Sequence, residues 1–193
     1  MTGATLDPVA VACFVAAAFA LAGLCQAAWL ASPWRRDLAV PLDGGATFRG
    51  RRVLGDHKTV RGCLVMVPAT GLAFAGLHEA VGTPATIGLW PGSAGTYLAW
   101  GLAAGVGFMA GELPNSFVKR QLGIAPGAAG SGGLRWVFLA ADRLDSVAGA
   151  LVALATCAGV PAVTWLLLGV GGPLLHGAFS ALTWQLGGKA RMA

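Results

Sequence analysis

The chain has 193 residues, of which 56% are hydrophobic and only 11% charged, and its mean hydropathy is +0.70. That composition excludes an ordinary water-soluble domain and points to a membrane-embedded, all-α protein in which long apolar helices satisfy their own backbone groups. The formal charge of +5 would suggest nucleic acid on a soluble protein, but here it reads as basic loops held beside anionic lipid, with no nucleic-acid partner.

The charge-free runs at 8–34, 62–78, 80–111 and 146–188 are long enough for several crossings, since a span needs about 20 apolar residues. Five spans are predicted, near 8–30, 62–81, 95–112, 136–158 and 162–186, with Pro161 at the break between the last two. The first is read as a retained span, because no basic residue precedes it and its apolar run of 27 residues exceeds a signal-peptide core. With this count all thirteen Lys and Arg fall on one side, which gives an N-out, C-in protein of the cell membrane with cytoplasmic loops at 31–61 and 113–135. The whole of 1–193 is read as one domain, and nothing in it indicates an oligomeric state.

The apolar residues carry their own expectations. Trp29, Trp34, Trp136 and Trp184 are placed near the inner interface and Trp90 and Trp165 near the outer, while Trp100 has no assignment. Cys13, Cys25, Cys63 and Cys157 form no C-x-x-C pair and are read as small core or helix-packing residues. His57, His78 and His176 share no ligand spacing with them, which argues against zinc. The 30 glycines suit close helix packing in lipid.

Ionisable residues inside spans are expensive, so they mark where chemistry is to be sought. In "DRLDS", Asp142 and Asp145 are three apart and share one helix face near the cytoplasmic end of the fourth span, close to Glu112 at the exit of the third. Carboxylates gathered without thiolate or imidazole select Mg²⁺, a cation that commonly bridges protein to phosphate. The bland reading is a set of salt bridges to Arg135 or Arg143. The segment "GELPNSFVKRQLGIAPG" at 111–127 adds a proline expected to end or kink the helix, the Ser116 hydroxyl, and the adjacent cations Lys119 and Arg120. Cations facing a metal make sense when a polyphosphate lies between them, and an ordinary positive-inside anchor is the alternative.

"GELPNSFVKR", then "PG", then "DRLDS" resembles the signature of CTP-dependent phosphatidate cytidylyltransferases, and "PLDGGATFRGRRVLGDHKTVRG" at 41–62 resembles the CDP-archaeol synthase branch of that superfamily. The resemblance implies transfer of CMP from CTP to a lipid phosphate, either an archaeal-type ether lipid phosphate or phosphatidate, with release of pyrophosphate. It assigns Asp142, Asp145 and Lys119 to catalysis, Asp142, Asp145 and Glu112 to Mg²⁺, and Ser116, Lys119, Arg120 and Arg143 to the nucleotide. Arg49, Arg51, Arg52, Asp56, Lys58, Thr59 and Arg61 become candidates for the lipid phosphate, with the nucleotide as the alternative ligand of the five basic residues among them. Two positions depart from the wider superfamily: Glu112 replaces an aspartate, and the histidine of Pro-Gly-His-Gly-Gly is absent from "PGAAGSGGL".

Two imitators fail on spacing. "GRRVLGDHKT" interposes Asp56 and His57 before Lys58-Thr59, so it is no Walker motif. A CDP-alcohol phosphotransferase would need Ala-Arg after Asp43-Gly44 and carboxylates four apart. A non-enzymatic transporter or channel subunit is the alternative from a different class.

Overall fold

In a computed structural model, residues 5–36, 38–128 and 130–185 are described. Five α-helices account for most of them: α1 (Pro8–Ala31), α2 (Val60–Val81), α3 (Ala94–Gln121), α4 (Leu134–Cys157) and α5 (Ala162–Gln185). Asp7 caps α1 by accepting from the amides of Val9 and Ala10, and Ser93 caps α3. α3 is the central helix and packs against α2 and α4, while α1 packs against α2 and α5.

Pro8–Ala31, Val60–Val81 and 162–179 are each long and apolar enough to cross a membrane. α3 is diluted by glycine, and α4 is interrupted by Asp142, Arg143 and Asp145. Large apolar side chains face outward on the bundle, including Leu72, Leu166, Val170 and Leu174. Such an exterior suits lipid, where the surface has no need to be polar.

The interior at the end away from the charged site is aromatic. Phe14 meets Phe74 edge-on at 5.2 Å, and the Tyr97 hydroxyl donates to the Trp90 carbonyl at 2.6 Å. Trp90 is therefore a core residue, not an interfacial one, and its indole N–H is satisfied by the Gly159 carbonyl at 2.8 Å. Trp100 packs against both Trp90 and Tyr97. Trp34, Trp136 and Trp184 are exposed, as expected for interfacial residues. The cysteines depart from expectation: Cys13, Cys25 and Cys157 face outward and Cys63 is half-buried. In a membrane bundle the outside is as apolar as the inside, so hydrophobicity does not draw a thiol to the core.

Two boundaries move. Pro114 does not end its helix, and α3 runs on to Gln121, so the expected loop 113–135 shrinks to 122–133. The lost hydrogen bond is offset by contacts of the continued helix with α4, through Asn115 and Lys119. The loop between α1 and α2 is also more ordered than a plain loop. Strands β1 (Thr47–Phe48) and β2 (Arg51–Arg52) pair antiparallel around Arg49 and Gly50, both at positive φ, as a two-residue hairpin turn requires. Lys189 and Arg191, counted in the sequence topology, lie outside the described residues.

Candidate active site

The site forms where α3 and α4 touch backbone to backbone. A Cβ on Gly149 would sit 2.2 Å from the Gly107 carbonyl oxygen, and one on Gly111 would sit 2.3 Å from that of Asp145. Only glycine permits this approach, and it brings Glu112 of α3 level with Asp145 of α4. Between them Ser146, fully buried, donates its hydroxyl to Glu112 Oε1 at 2.7 Å.

One turn further along α3, the Asn115 side-chain amide donates to Asp142 Oδ1 at 2.7 Å and to Asp145 Oδ2 at 3.0 Å. Oxygens from both aspartates thus converge on a single point. Lys119 Nζ pairs with Asp142 at 2.8 Å, and Lys58 pairs with Glu112 from the loop before α2. Lys119 and Arg120 are only 5% and 8% exposed, which is affordable because they occupy the last turn of α3, where the helix carbonyls favour positive charge. A partly buried cluster of three carboxylates is tolerable only with such counter-charges.

Among the described residues no three His, Cys, Asp or Glu side chains are gathered closely enough to hold a metal ion as they stand. The donor set is nonetheless all oxygen, and two carboxylates already share one focus, which suits a hard divalent cation.

A cavity of about 860 Å³ runs from this cluster into the bundle. Its charged end includes Lys58, Arg61, Ser116 and Lys119, and its other walls are apolar, with Phe19, Leu175 and Phe179 from α1 and α5. Of the residues singled out from the sequence, Glu112, Ser116, Lys119, Arg120, Asp142 and Asp145 meet here, joined by Lys58 and Thr59 from the loop before α2 and by Arg61 from its first turn. The other candidates of that loop, Arg49, Arg51, Arg52 and Asp56, do not line the cavity. Arg52 is held by Asp43 at 2.7 Å and by Asp56 at 2.8 Å, Arg51 donates to the Gln121 carbonyl, and Arg49 lies over the Phe48 ring. Arg143 points away, toward Gly177 of α5.

Three contributors were not legible as such. Asn115 and Ser146 sit within the motifs but carry no charge to flag them. Asp43 organises the loop: it is almost fully buried and accepts from Arg52 and from the amides of Gly45, Leu54 and Gly55. The Arg52 guanidinium above all, with those amides, holds its carboxyl well below the usual carboxylate range despite the opposing effect of burial. The glycines that follow it, Gly44 and Gly45, both at positive φ, signal a turn there but not its burial.

A polytopic bundle whose cavity joins a carboxylate–cation cluster to apolar walls belongs to the class of intramembrane enzymes. Residues 38–191 match the CarS-like CDP-archaeol synthase family. The chain is 37% identical over 158 residues to the CDP-archaeol synthase of Methanosphaerula palustris, covering 77% of this chain and 87% of that protein. It is 34% identical over 156 residues to that of Halorubrum lacusprofundi, covering 77% and 81%. A solved structure of an intramembrane enzyme for archaeal membrane lipid biosynthesis superposes with a TM-score of 0.56 at 27% identity, over 82% of this chain and 90% of that one. The chain belongs to the CDP-archaeol synthase family.

Proposed function

We propose that this protein transfers CMP from CTP to an ether-linked isoprenoid lipid phosphate at the cytoplasmic face of the cell membrane. Family membership makes it a CTP-dependent cytidylyltransferase that forms a CDP-lipid, and the same membership favours the ether lipid over phosphatidate as acceptor. The observation that carries the mechanism is the convergence of Asp142 and Asp145 on one point beside two buried cations, in a cavity with apolar walls.

An oxygen of the lipid phosphate attacks the α-phosphorus of CTP. The bond from that phosphorus to the β-phosphate oxygen breaks, and pyrophosphate leaves with the electron pair. Asp142 and Asp145, with Glu112, would hold Mg²⁺, which when bound neutralises charge on the reacting phosphates. Lys119 and Arg120 receive the triphosphate, and the Ser116 hydroxyl donates to it. Lys58, Thr59 and Arg61 face the lipid phosphate. Arg52, Asp56 and Asp43 act on the loop that carries Lys58, keeping it over the site. In the resting protein Lys58 and Lys119 occupy Glu112 and Asp142, so the cluster stays nearly neutral until phosphates compete for the cations.

The test is incubation of purified protein with labelled CTP, Mg²⁺ and separate arms of dialkyl ether lipid phosphate and diacyl phosphatidate, followed by lipid extraction. CDP-lipid should form, with release of pyrophosphate, and more from the ether arm. No CDP-lipid from any lipid phosphate would overturn the reading.

Five crossings, N-out and C-in, complete the proposal. Three apolar helices and the packing of α3 between α2 and α4 support it, as does the absence of Lys and Arg from 62–118. In a background without native cysteines, a cysteine introduced within 38–58 or 122–133 should react only from the cytoplasm, and one within 83–93 only from outside. Labelling of both regions from one side would refute the arrangement.

A further inference from the structure

We propose that His57 is a further substrate contact of this site, donating a ring N–H to the departing pyrophosphate at the mouth of the cavity. The proposal rests on the reading of the protein as a CTP-dependent cytidylyltransferase and adds to it the residue that meets the leaving group.

The order of groups along the cavity carries the argument. Of the charged groups that line it, Glu112 and Asp145 lie where α3 and α4 touch. Asp142 and Lys119 follow, and then Arg120, about 12 Å along α3 from Glu112 at 1.5 Å per residue. Arg120 donates to the Ala125 carbonyl at 3.2 Å, yet its Nε is buried with no hydrogen-bond partner among the described residues. A buried donor left open in this way is costly unless a ligand supplies the acceptor.

Beyond Arg120 the segments 54–58 and 125–128 close on each other. Gly55 is at φ +88°, and a Cβ there would meet Pro126 at 3.2 Å and Arg120 at 3.4 Å. Gly127 is at φ +76° and lies against the His57 ring, with Cε1 only 3.3 Å and Nδ1 3.6 Å from where its Cβ would be. His57 is exposed, lines the cavity and is the outermost donor in this sequence of groups.

An α-phosphate placed at the aspartates therefore directs the β- and γ-phosphates outward, past Lys119 and Arg120, to His57. When the bond between the α-phosphorus and the β-phosphate oxygen breaks, the negative charge that develops on pyrophosphate faces Arg120 and the His57 N–H. The mouth is also where water is available to take the product away. The chemistry recognised is that of a di- or triphosphate end, with no base or lipid determinant.

Pyrophosphorolysis reads this contact directly, because CDP-lipid and pyrophosphate then return CTP and lipid phosphate. His57→Ala should raise the KM for pyrophosphate, and its inhibition constant in the forward direction, about tenfold, the scale of one hydrogen bond to a charged group. The KM for lipid phosphate should not change, and His57→Gln, which keeps an N–H donor, should recover most of the loss. The side chain is exposed, so neither variant disturbs the core. Wild-type pyrophosphate constants in His57→Ala, or a change confined to lipid phosphate, would overturn the assignment of His57 alone. A wild-type protein that makes no CDP-lipid would instead overturn the functional reading beneath it.

Discussion

Asp142→Asn and Asp145→Asn are each expected to lower CDP-lipid synthesis at least about a hundredfold, the scale seen when preorganised charge at a reacting centre is lost. Each substitution keeps the shape of the side chain and removes its charge. Asn115 donates to both carboxylates through one amide, so an amide at 142 or 145 removes half of the focus that the two acids create. At Asp142 the change also strands Lys119, which is 5% exposed and has its ion pair there. The protein should still insert, because neither aspartate contributes to the apolar faces that pack the bundle. The measurement is labelled CDP-lipid formed per amount of folded protein in detergent, and near-normal synthesis by both variants would remove these aspartates from the mechanism.

Gly149→Ala is expected to lower activity by a similar factor for a reason that is purely steric. The new Cβ would lie 2.2 Å from the Gly107 carbonyl oxygen and close to the backbone of Gly111. Backbone cannot turn aside as a side chain can, so α3 and α4 must separate by about 1 Å to recover an ordinary carbon–oxygen contact of about 3.3 Å. Overpacking of this kind costs about 1–3 kcal/mol, and a displacement of about 1 Å between catalytic groups costs roughly a hundredfold in rate. Asn115 and Glu112 are on one helix and their partners Asp142, Asp145 and Ser146 on the other, so the site opens with the helices. Gly76→Ala and Gly169→Ala are the controls, since nothing lies within 4 Å of a Cβ at either position. Thermal unfolding in detergent and CDP-lipid synthesis should separate Gly149→Ala from both controls. Equal behaviour of all three would show that the α3–α4 contact is not as tight as the backbone distances indicate.

Much of the molecule is determined by the sequence alone. Helices α1, α2 and α5 begin and end within two residues of the spans predicted for them, because a membrane helix must be long and apolar whatever surrounds it. The shared face of Asp142 and Asp145 follows from a spacing of three on any helix, and the acidic and basic motifs around them are read from the chain directly. The partners of those charges are not. Lys58 meets Glu112 across 54 residues, Asn115 sits between the two aspartates, and Arg52 turns to Asp43 and away from the cavity. Local pattern says that a charge must be neutralised, but which opposite charge reaches it depends on how closely two backbones approach. At α3 and α4 that approach is decided by Gly107, Gly111 and Gly149 together. The passage of α3 through Pro114, the burial of Trp90 and the outward cysteines have the same origin. Each depends on what a neighbouring helix offers or, for the cysteines, on a lipid exterior as apolar as the core, and a one-dimensional pattern does not contain those neighbours.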